Sequence, residues 1–242
     1  MEVAVMKQLR LDKYLSDMNV ETRSRLKQMI RKGQVTVNGE AATRPEMKVV
    51  PGSDRICVLG NPVGYRELEY YLLHKPAGVV SATEDRRDRT VLDLLPDIRR
   101  DDLFPVGRLD KDTEGLLLIT NDGSLAHKLL SPKHHVEKVY YAEIDGPVTE
   151  EDQKRFKEGI DIGDPTNTLP AGLDILSSGE TSRVRVTLTE GRYHQIKRMF
   201  EASGKRVVYL KRLSMGPLAL DENLRKGEWR SLTPEEIQLI TN

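Results

Sequence analysis

Apolar residues in the first sixty positions recur at helical spacing and then switch to short alternating runs. Leu11, Leu15 and Met18 stand at i, i+4 and i+7, the stripe of a short amphipathic helix that Asn19 can end. Thr22 or Ser24 can cap a second helix running to Lys32. At about 100° per residue, Leu26, Met29 and Ile30 share one side of it, Arg23, Lys27 and Arg31 form one basic flank, and Arg25 and Lys32 lie on the other. Gly33 stops that helix, and Val35-Thr36-Val37 reads as a strand entering an Asn38-Gly39 hairpin turn. Pro51-Gly52 turns the chain into another short strand, 55–59. Gly60-Asn61-Pro62-Val63-Gly64 then reads as a linker, dividing the chain into 1–62 and 63–242.

Beyond the linker the pattern is mainly of strands, expected at 70–73, 78–81, 116–120, 139–144, 183–188 and 207–210. Helices are expected at 153–159, 194–202 and 234–240. Strand and helix alternate without a regular βαβ rhythm. The expected class is therefore α+β: a small N-terminal module, then a domain built on a mixed, mainly antiparallel sheet with flanking helices.

Composition narrows the function. The chain has 242 residues, and the single Cys57 excludes an intramolecular disulfide and a multi-cysteine zinc or iron–sulfur site. No apolar run approaches the ~20 residues that span a bilayer, and Met1 to Arg10 carries no secretory pattern, so a cytosolic chain without membrane partners is expected. The 38 basic and 38 acidic residues cancel. Divided along the chain they do not: residues 1–62 are at +4, residues 143–180 at −7 and residues 183–212 at +7. Segregation of this kind suits a local polyanion-binding surface, with the acidic block turned away from it. A set of solvated faces is the plainer alternative.

Three stretches could carry chemistry. In Gly107-Arg108-Leu109-Asp110-Lys111-Asp112-Thr113-Glu114-Gly115, Asp110 stands in a polar loop ahead of an apolar strand, where a reactive side chain can be held, and Arg108 and Lys111 favour its ionised form. A solvated loop, or oxygen ligation of a divalent cation by Asp110, Asp112 and Glu114, are the other readings; the rest of a calcium loop and any Walker-type loop are missing. His127, Ser131, His134 and His135 lack the elbow or His-Glu-x-x-His spacing of serine or zinc hydrolases. In Glu137-Lys138-Val139-Tyr140-Tyr141 the tyrosines must face opposite sides of a strand, so at most one enters a given cleft. Arg192-Tyr193-His194-Gln195, with Lys197 and Arg198, would put donors at a helix N-terminus, a place suited to phosphate. Glu84 to Arg89 reads as an exposed charged loop that could either reach RNA or be solvated.

Together these pieces resemble a known family. Arg10-Leu11-Asp12-Lys13-Tyr14-Leu15, Thr22-Arg23-Ser24-Arg25 and Gly33-Gln34-Val35-Thr36-Val37-Asn38-Gly39 look like an S4 RNA-binding domain. Gly107-Arg108-Leu109-Asp110 with Thr113-Glu114-Gly115-Leu116 resembles the catalytic motif of pseudouridine synthases. His74-Lys75-Pro76-Ala77-Gly78, the Tyr140 strand and His194-Gln195-Ile196-Lys197-Arg198 are similar to that family's other motifs. Ser131 to Lys138 and Gly191 to Gln195 point to the RsuA branch, which acts on small-subunit ribosomal RNA.

The resemblance implies a catalytic set of Asp110, Tyr140 and Lys197. Asp110 would attack the target uridine or assist glycosidic cleavage, Tyr140 would stack on the flipped base, and Lys197 would pair with Asp110 where many relatives carry arginine. It implies RNA contacts from Arg10, Arg23, Lys27, Arg31, Lys32, Arg108, Arg192, His194, Gln195 and Arg198. It further implies isomerisation of a uridine, expected at position 516 of 16S rRNA, by a monomer needing no cofactor and no metal. A noncatalytic S4-type assembly factor, a synthase acting on 23S rRNA and a metal-dependent nuclease are the competing readings.

Overall fold

The computed structural model describes residues 8–96, 98 and 100–241. These residues form two compact units: the chain up to Leu68 together with Pro96–Leu103, and Glu69–Leu95 with Phe104 onward. Each is described by itself.

In the first unit, strand β1 (Leu9–Arg10) runs directly into α1 (Leu11–Asp17), and α2 (Arg23–Arg31) follows. Met18 closes α1, and Asn19 leaves it at φ +47°, a left-handed conformation that asparagine tolerates. Thr22 caps α2 by accepting from the Arg25 amide at 3.3 Å. Strands β2 (Val35–Val37) and β3 (Glu40–Ala41) are joined by Asn38 and Gly39, both at positive φ, as the Asn-Gly signal required. Strand β4 (Lys48–Val49) pairs with β1, and β5 (Ile56–Val58) pairs with β2. Leu11, Leu15, Leu26, Ile30, Val35, Val49 and Ile56 fill the core.

The expected linker is not one. Leu59 and Gly60, at φ +51° and +83°, make a second hairpin turn, and β6 (Asn61–Pro62) pairs back on β5. The Tyr14 hydroxyl donates to the Val63 carbonyl at 2.8 Å, and the Tyr65 ring packs on Tyr14. Glycine and proline marked a turn here, and the apolar Val63 and Tyr65 beyond it belong to the first core, so this unit continues to Leu68.

The second unit contains β7 (Tyr70–Lys75), β8 (Phe104–Pro105), β9 (Glu114–Thr120), α3 (Gly123–Leu130), β10 (Lys138–Asp145), α4 (Glu150–Glu158), β11 (Gly172–Ser177), β12 (Thr181–Leu188), α5 (Gln195–Glu201), β13 (Arg206–Met215), β14 (Leu218–Ala219), β15 (Trp229–Ser231) and α6 (Pro234–Thr241). Its sheet has the order β11-β12-β10-β13-β9-β7-β15, antiparallel except where β13 meets β9. The class is therefore α+β on a mixed, mainly antiparallel sheet. β7 and β9 are buried along their whole length, which accounts for their continuous apolar runs; β12 alternates buried and exposed because only one of its faces is covered. Residues 78–81 do not form the expected strand: Val80 makes a single bridge to Thr90, and the Gly78 amide bonds to the Lys111 carbonyl at 2.7 Å. Helix α4 begins earlier than the apolar pattern indicated because Thr149 and Asp152 form a capping box. Among the described residues no helix is long and apolar enough to cross a membrane.

Candidate active site

The site is built on one row across the sheet. Lys75 on β7 lies opposite Gly115 on β9, Gly115 opposite Arg212 on β13, Arg212 opposite Tyr140 on β10, and Tyr140 opposite Val186 on β12. β9 and β13 meet closely at this level. Gly115 has φ +107°, and a Cβ there would lie 2.2 Å from the Arg212 carbonyl oxygen, so only glycine fits.

Asp110 sits in the loop leading into β9, and its backbone is clamped from two sides. The Ser81 hydroxyl accepts from the Leu109 amide at 3.1 Å and donates to the Leu109 carbonyl at 2.9 Å. Below the loop, the fully buried Lys75 ammonium donates to the carbonyls of Thr113 at 2.8 Å, Asp110 at 3.0 Å and Pro76 at 3.1 Å. Burial pushes the Lys75 pKa down to about 8, while the charges of Asp110, Asp112 and Glu114 oppose that shift. With the main chain held this way, the Asp110 carboxylate projects outward at 26% exposure.

Two residues of the α5 segment meet it. Lys197 Nζ is 3.2 Å from one Asp110 oxygen, and His194 Nε2 is 3.4 Å from the other. Lys197 is shared, because its ammonium also donates to Asp112 at 2.6 Å. Burial works against the Lys197 charge, but the hydrogen bond to Asp112 and the charge of Asp110 outweigh it and hold the pKa above the ordinary lysine value. The same bond holds Asp112 below the carboxylate range despite its partial burial. The result is a carboxylate bracketed by a cation and an imidazole edge, set in a wall of strand ends.

The structure thus brings Asp110, Lys197 and His194 together. Tyr140 stands on the same row, its ring against the core that includes Ile196 and Phe200 of α5, and no hydrogen bond joins it to Asp110. Tyr141 points the other way, donating to Glu143 at 2.8 Å with its ring against Tyr209, as strand alternation demands. Asp110, Asp112 and Glu114 do not converge: Glu114 bonds to Tyr209 and Lys226 instead, and among the described residues no three His, Cys, Asp or Glu side chains gather as a metal-ligand set. The charged loop 84–89 is tied to the site by an ion pair of 2.6 Å between Asp88 and Lys111.

Several expected RNA donors are occupied within the protein. Helix α5 starts at Gln195 rather than His194, which caps it in the left-handed conformation. Gln195 is 4% exposed, accepting from the Arg192 amide and donating to Glu190. Arg192 donates to the carbonyls of Thr166 and Asn167, both at 2.7 Å, and pairs with Glu190. Arg198 donates to the Ile162 carbonyl and pairs with Asp164, each at 2.5 Å. These side chains fasten the 162–167 loop to α5. Arg23, Lys27, Arg31 and Lys32 are exposed on α2 and Arg108 on the site loop, none in an ion pair among the described residues. Arg10 forks onto Asp12 at 2.9 and 2.7 Å with its side chain half exposed.

The two opposed charge blocks also meet each other. Asp145 pairs with Arg206, Asp152 with Lys205, Asp164 with Arg192 and Arg198, and Glu143 approaches Arg183 at 3.8 Å. Part of the acidic stretch therefore pairs with part of the basic one, at strand level between β10 and its neighbours and elsewhere through α4, α5 and the loops beside them. Sequence reading assigned no role to Lys75, Tyr193 or Arg212. A lysine closing the apolar run of β7 was the available sign for the first. Arg212 is 2% exposed, bonds the Leu116 carbonyl at 2.8 Å and leaves Nη2 without a hydrogen-bond partner, a placement that sequence does not show.

Comparison with known proteins agrees in both units. The family described as RNA pseudouridylate synthase matches residues 69–202, and the S4 domain matches residues 9–56. An uncharacterized RNA pseudouridine synthase of Bacillus subtilis is 47% identical, covering 96% of this chain and 98% of its own length. The ribosomal small subunit pseudouridine synthase A of Yersinia pestis is 41% identical, and that of Escherichia coli strain K12 is 39% identical; the matches cover 96% of this chain and 98% and 100% of theirs. A crystal structure of a pseudouridylate synthase superposes with a TM-score of 0.67 at 38% identity, covering 96% of this chain and 99% of that one.

Proposed function

Since the chain belongs to the RNA pseudouridine synthase family and carries an S4 domain, we propose that it isomerises one uridine of small-subunit ribosomal RNA to pseudouridine, with Asp110 as the catalytic carboxylate. The observation that supports this most is the placement of Asp110: a clamped backbone, a partly exposed carboxylate, and Lys197 and His194 at 3.2 and 3.4 Å. The reaction breaks the bond from ribose C1′ to N1, turns the base and joins C1′ to C5; the C5 hydrogen leaves as a proton and N1 takes one up, so the product is an isomer of the substrate. It is redox-neutral and moves no group to another molecule, so amino-acid side chains suffice for it. Lys197, 3.2 Å from one carboxylate oxygen, fixes the direction of Asp110, and Tyr140 supplies a face for the extruded base. Extrusion costs a few kcal/mol of stacking, which backbone contacts from the S4 domain can offset.

The finer reading is that the substrate is 16S rRNA, at position 516, bound by a monomer in the cytoplasm. The relatives named for the small subunit support the substrate class. Incubation with 16S RNA tritiated at uridine C5 should release tritium into water in proportion to pseudouridine formed at one position. Release from 23S RNA alone would move the substrate to the large subunit, and RNA binding without release would leave an assembly factor.

A further inference from the structure

Tyr193 is 74% exposed, and among the described residues it is the one exposed phenylalanine, tyrosine or tryptophan. Its ring lies flat on His194, with centroids 3.8 Å apart and planes 17° from parallel. His194 in turn directs Nε2 to Asp110 at 3.4 Å. The imidazole is thereby fixed by its edge, and the tyrosine is fixed by stacking on the imidazole. One face of the phenol ring is covered and the other is left open toward solvent, a single aromatic layer from the residue that holds the reactive carboxylate.

From this ladder we infer a second base subsite: the open face of Tyr193 receives the nucleobase adjacent to the target uridine in the RNA. The inference rests on the synthase reading, because it takes Asp110 to mark the position of the target. An open aromatic face with no donor or acceptor directed across it recognises π-surface and not hydrogen-bond pattern, so the occupant is an unpaired base of any identity. The covalent chain links the target ribose to both its neighbours, and a neighbour that stacks on Tyr193 leaves its own helix together with the target. The shelf therefore positions substrate: it holds open the gap that the extruded uridine leaves, and it makes an unpaired neighbour a requirement for efficient modification.

The test uses full-length protein and a small-subunit RNA fragment containing the modified uridine, with either neighbouring base removed to leave an abasic site. Tyr193→Leu is expected to raise KM by about 5- to 100-fold with kcat within twofold, and Tyr193→Phe to retain both values. On one of the two abasic RNAs the wild-type protein should lose a similar factor, and Tyr193→Leu should lose nothing further. Unchanged KM for Tyr193→Leu, or losses that multiply on both abasic RNAs, would overturn the inference. If the wild-type protein releases no tritium from any RNA, the synthase reading fails by itself. The shelf is then judged with a single-stranded, uridine-rich oligonucleotide carrying 2-aminopurine: quenching that Tyr193→Phe keeps and Tyr193→Leu abolishes supports the shelf, and quenching indifferent to position 193 rejects it.

Discussion

Lys75 shows how a buried charge can serve a site without touching its chemistry. Its ammonium gathers carbonyls from both sides of the Asp110 loop, so the direction of the carboxylate depends on a side chain with no exposure. Replacing it by methionine should lower kcat about 10- to 100-fold, because a displacement of about 1 Å at a reacting group costs that much. Burial also sets the sign of a pH effect. With a folded pKa of about 8 and an ordinary value of 10.5, the unfolded chain between those limits holds a proton that the folded chain has released. This lysine therefore makes stability rise with pH through that window and contributes no slope below it. Thermal melts from pH 7 to 10.5 should show wild type gaining on Lys75→Met as pH increases; a gap that stays constant would contradict a depressed lysine. His74-Lys75-Pro76 was legible as a motif, but its job was not, because the convergence of the Thr113, Asp110 and Pro76 carbonyls on one ammonium depends on where the loop folds back.

At the scale of elements, local signals were read well where a side chain acts on its own backbone. Thr22, Asn19 and Asn38-Gly39 cap or turn the chain as their chemistry requires. Signals were misread where tertiary packing decides, as at Gly60, whose turn closes a hairpin because Val63 and Tyr65 have a core to enter. Helix α3 and strands β11 and β15 went unread because short segments with mixed polarity acquire their state from neighbours. Two predictions belong here. Gly115→Ala would force a Cβ into the Arg212 backbone at a positive φ, and should cost about 2–5 kcal/mol in urea unfolding; a loss under 1 kcal/mol would mean that β9 and β13 can separate freely. Asp152 caps α4 and receives Lys205 at 2.7 Å; burial opposes its charge, but the bonds from Lys205 and Thr149 hold its pKa below the ordinary 3.8. Its contribution is present above that value and lost as pH falls through the lower folded pKa. Asp152→Asn should cost about 1–2 kcal/mol at pH 7, and the difference should shrink below pH ~4. Equal losses at both pH values would remove the carboxylate from this role.

Across the whole molecule, the zero net charge hides two different arrangements. The opposed blocks of the second unit pair in part with each other, across β10 and β13 at Asp145–Arg206 and through helix and loop contacts at Asp152–Lys205 and Asp164–Arg198, so their segregation in sequence partly reports topology. The basic stripe of α2 is not cancelled in this way, and it leaves Arg23, Lys27 and Arg31 available to phosphate, with Lys32 exposed just past the helix end. Converting Lys27 and Arg31 together to glutamine should weaken RNA binding at every sequence, and should reduce the slope of log K against log salt by about 1.4–1.8. An unchanged slope would exclude this face from the RNA. The proposed catalytic carboxylate was legible as a candidate because it stands in a polar loop before a buried strand, and the resemblance of its motif to pseudouridine synthases singled it out. The clamp on its backbone and the approach of the Tyr193–His194 ladder to it were not legible, since Lys75, Ser81 and His194 all come from segments distant in sequence to meet the Asp110 loop. The account as a whole stands on Asp110, and the most direct measurement compares wild type with Asp110→Asn on 16S RNA tritiated at uridine C5, following tritium release and RNA affinity together. The account predicts that the variant releases no tritium while binding within a few-fold of wild type. Release by Asp110→Asn at the wild-type rate would contradict it.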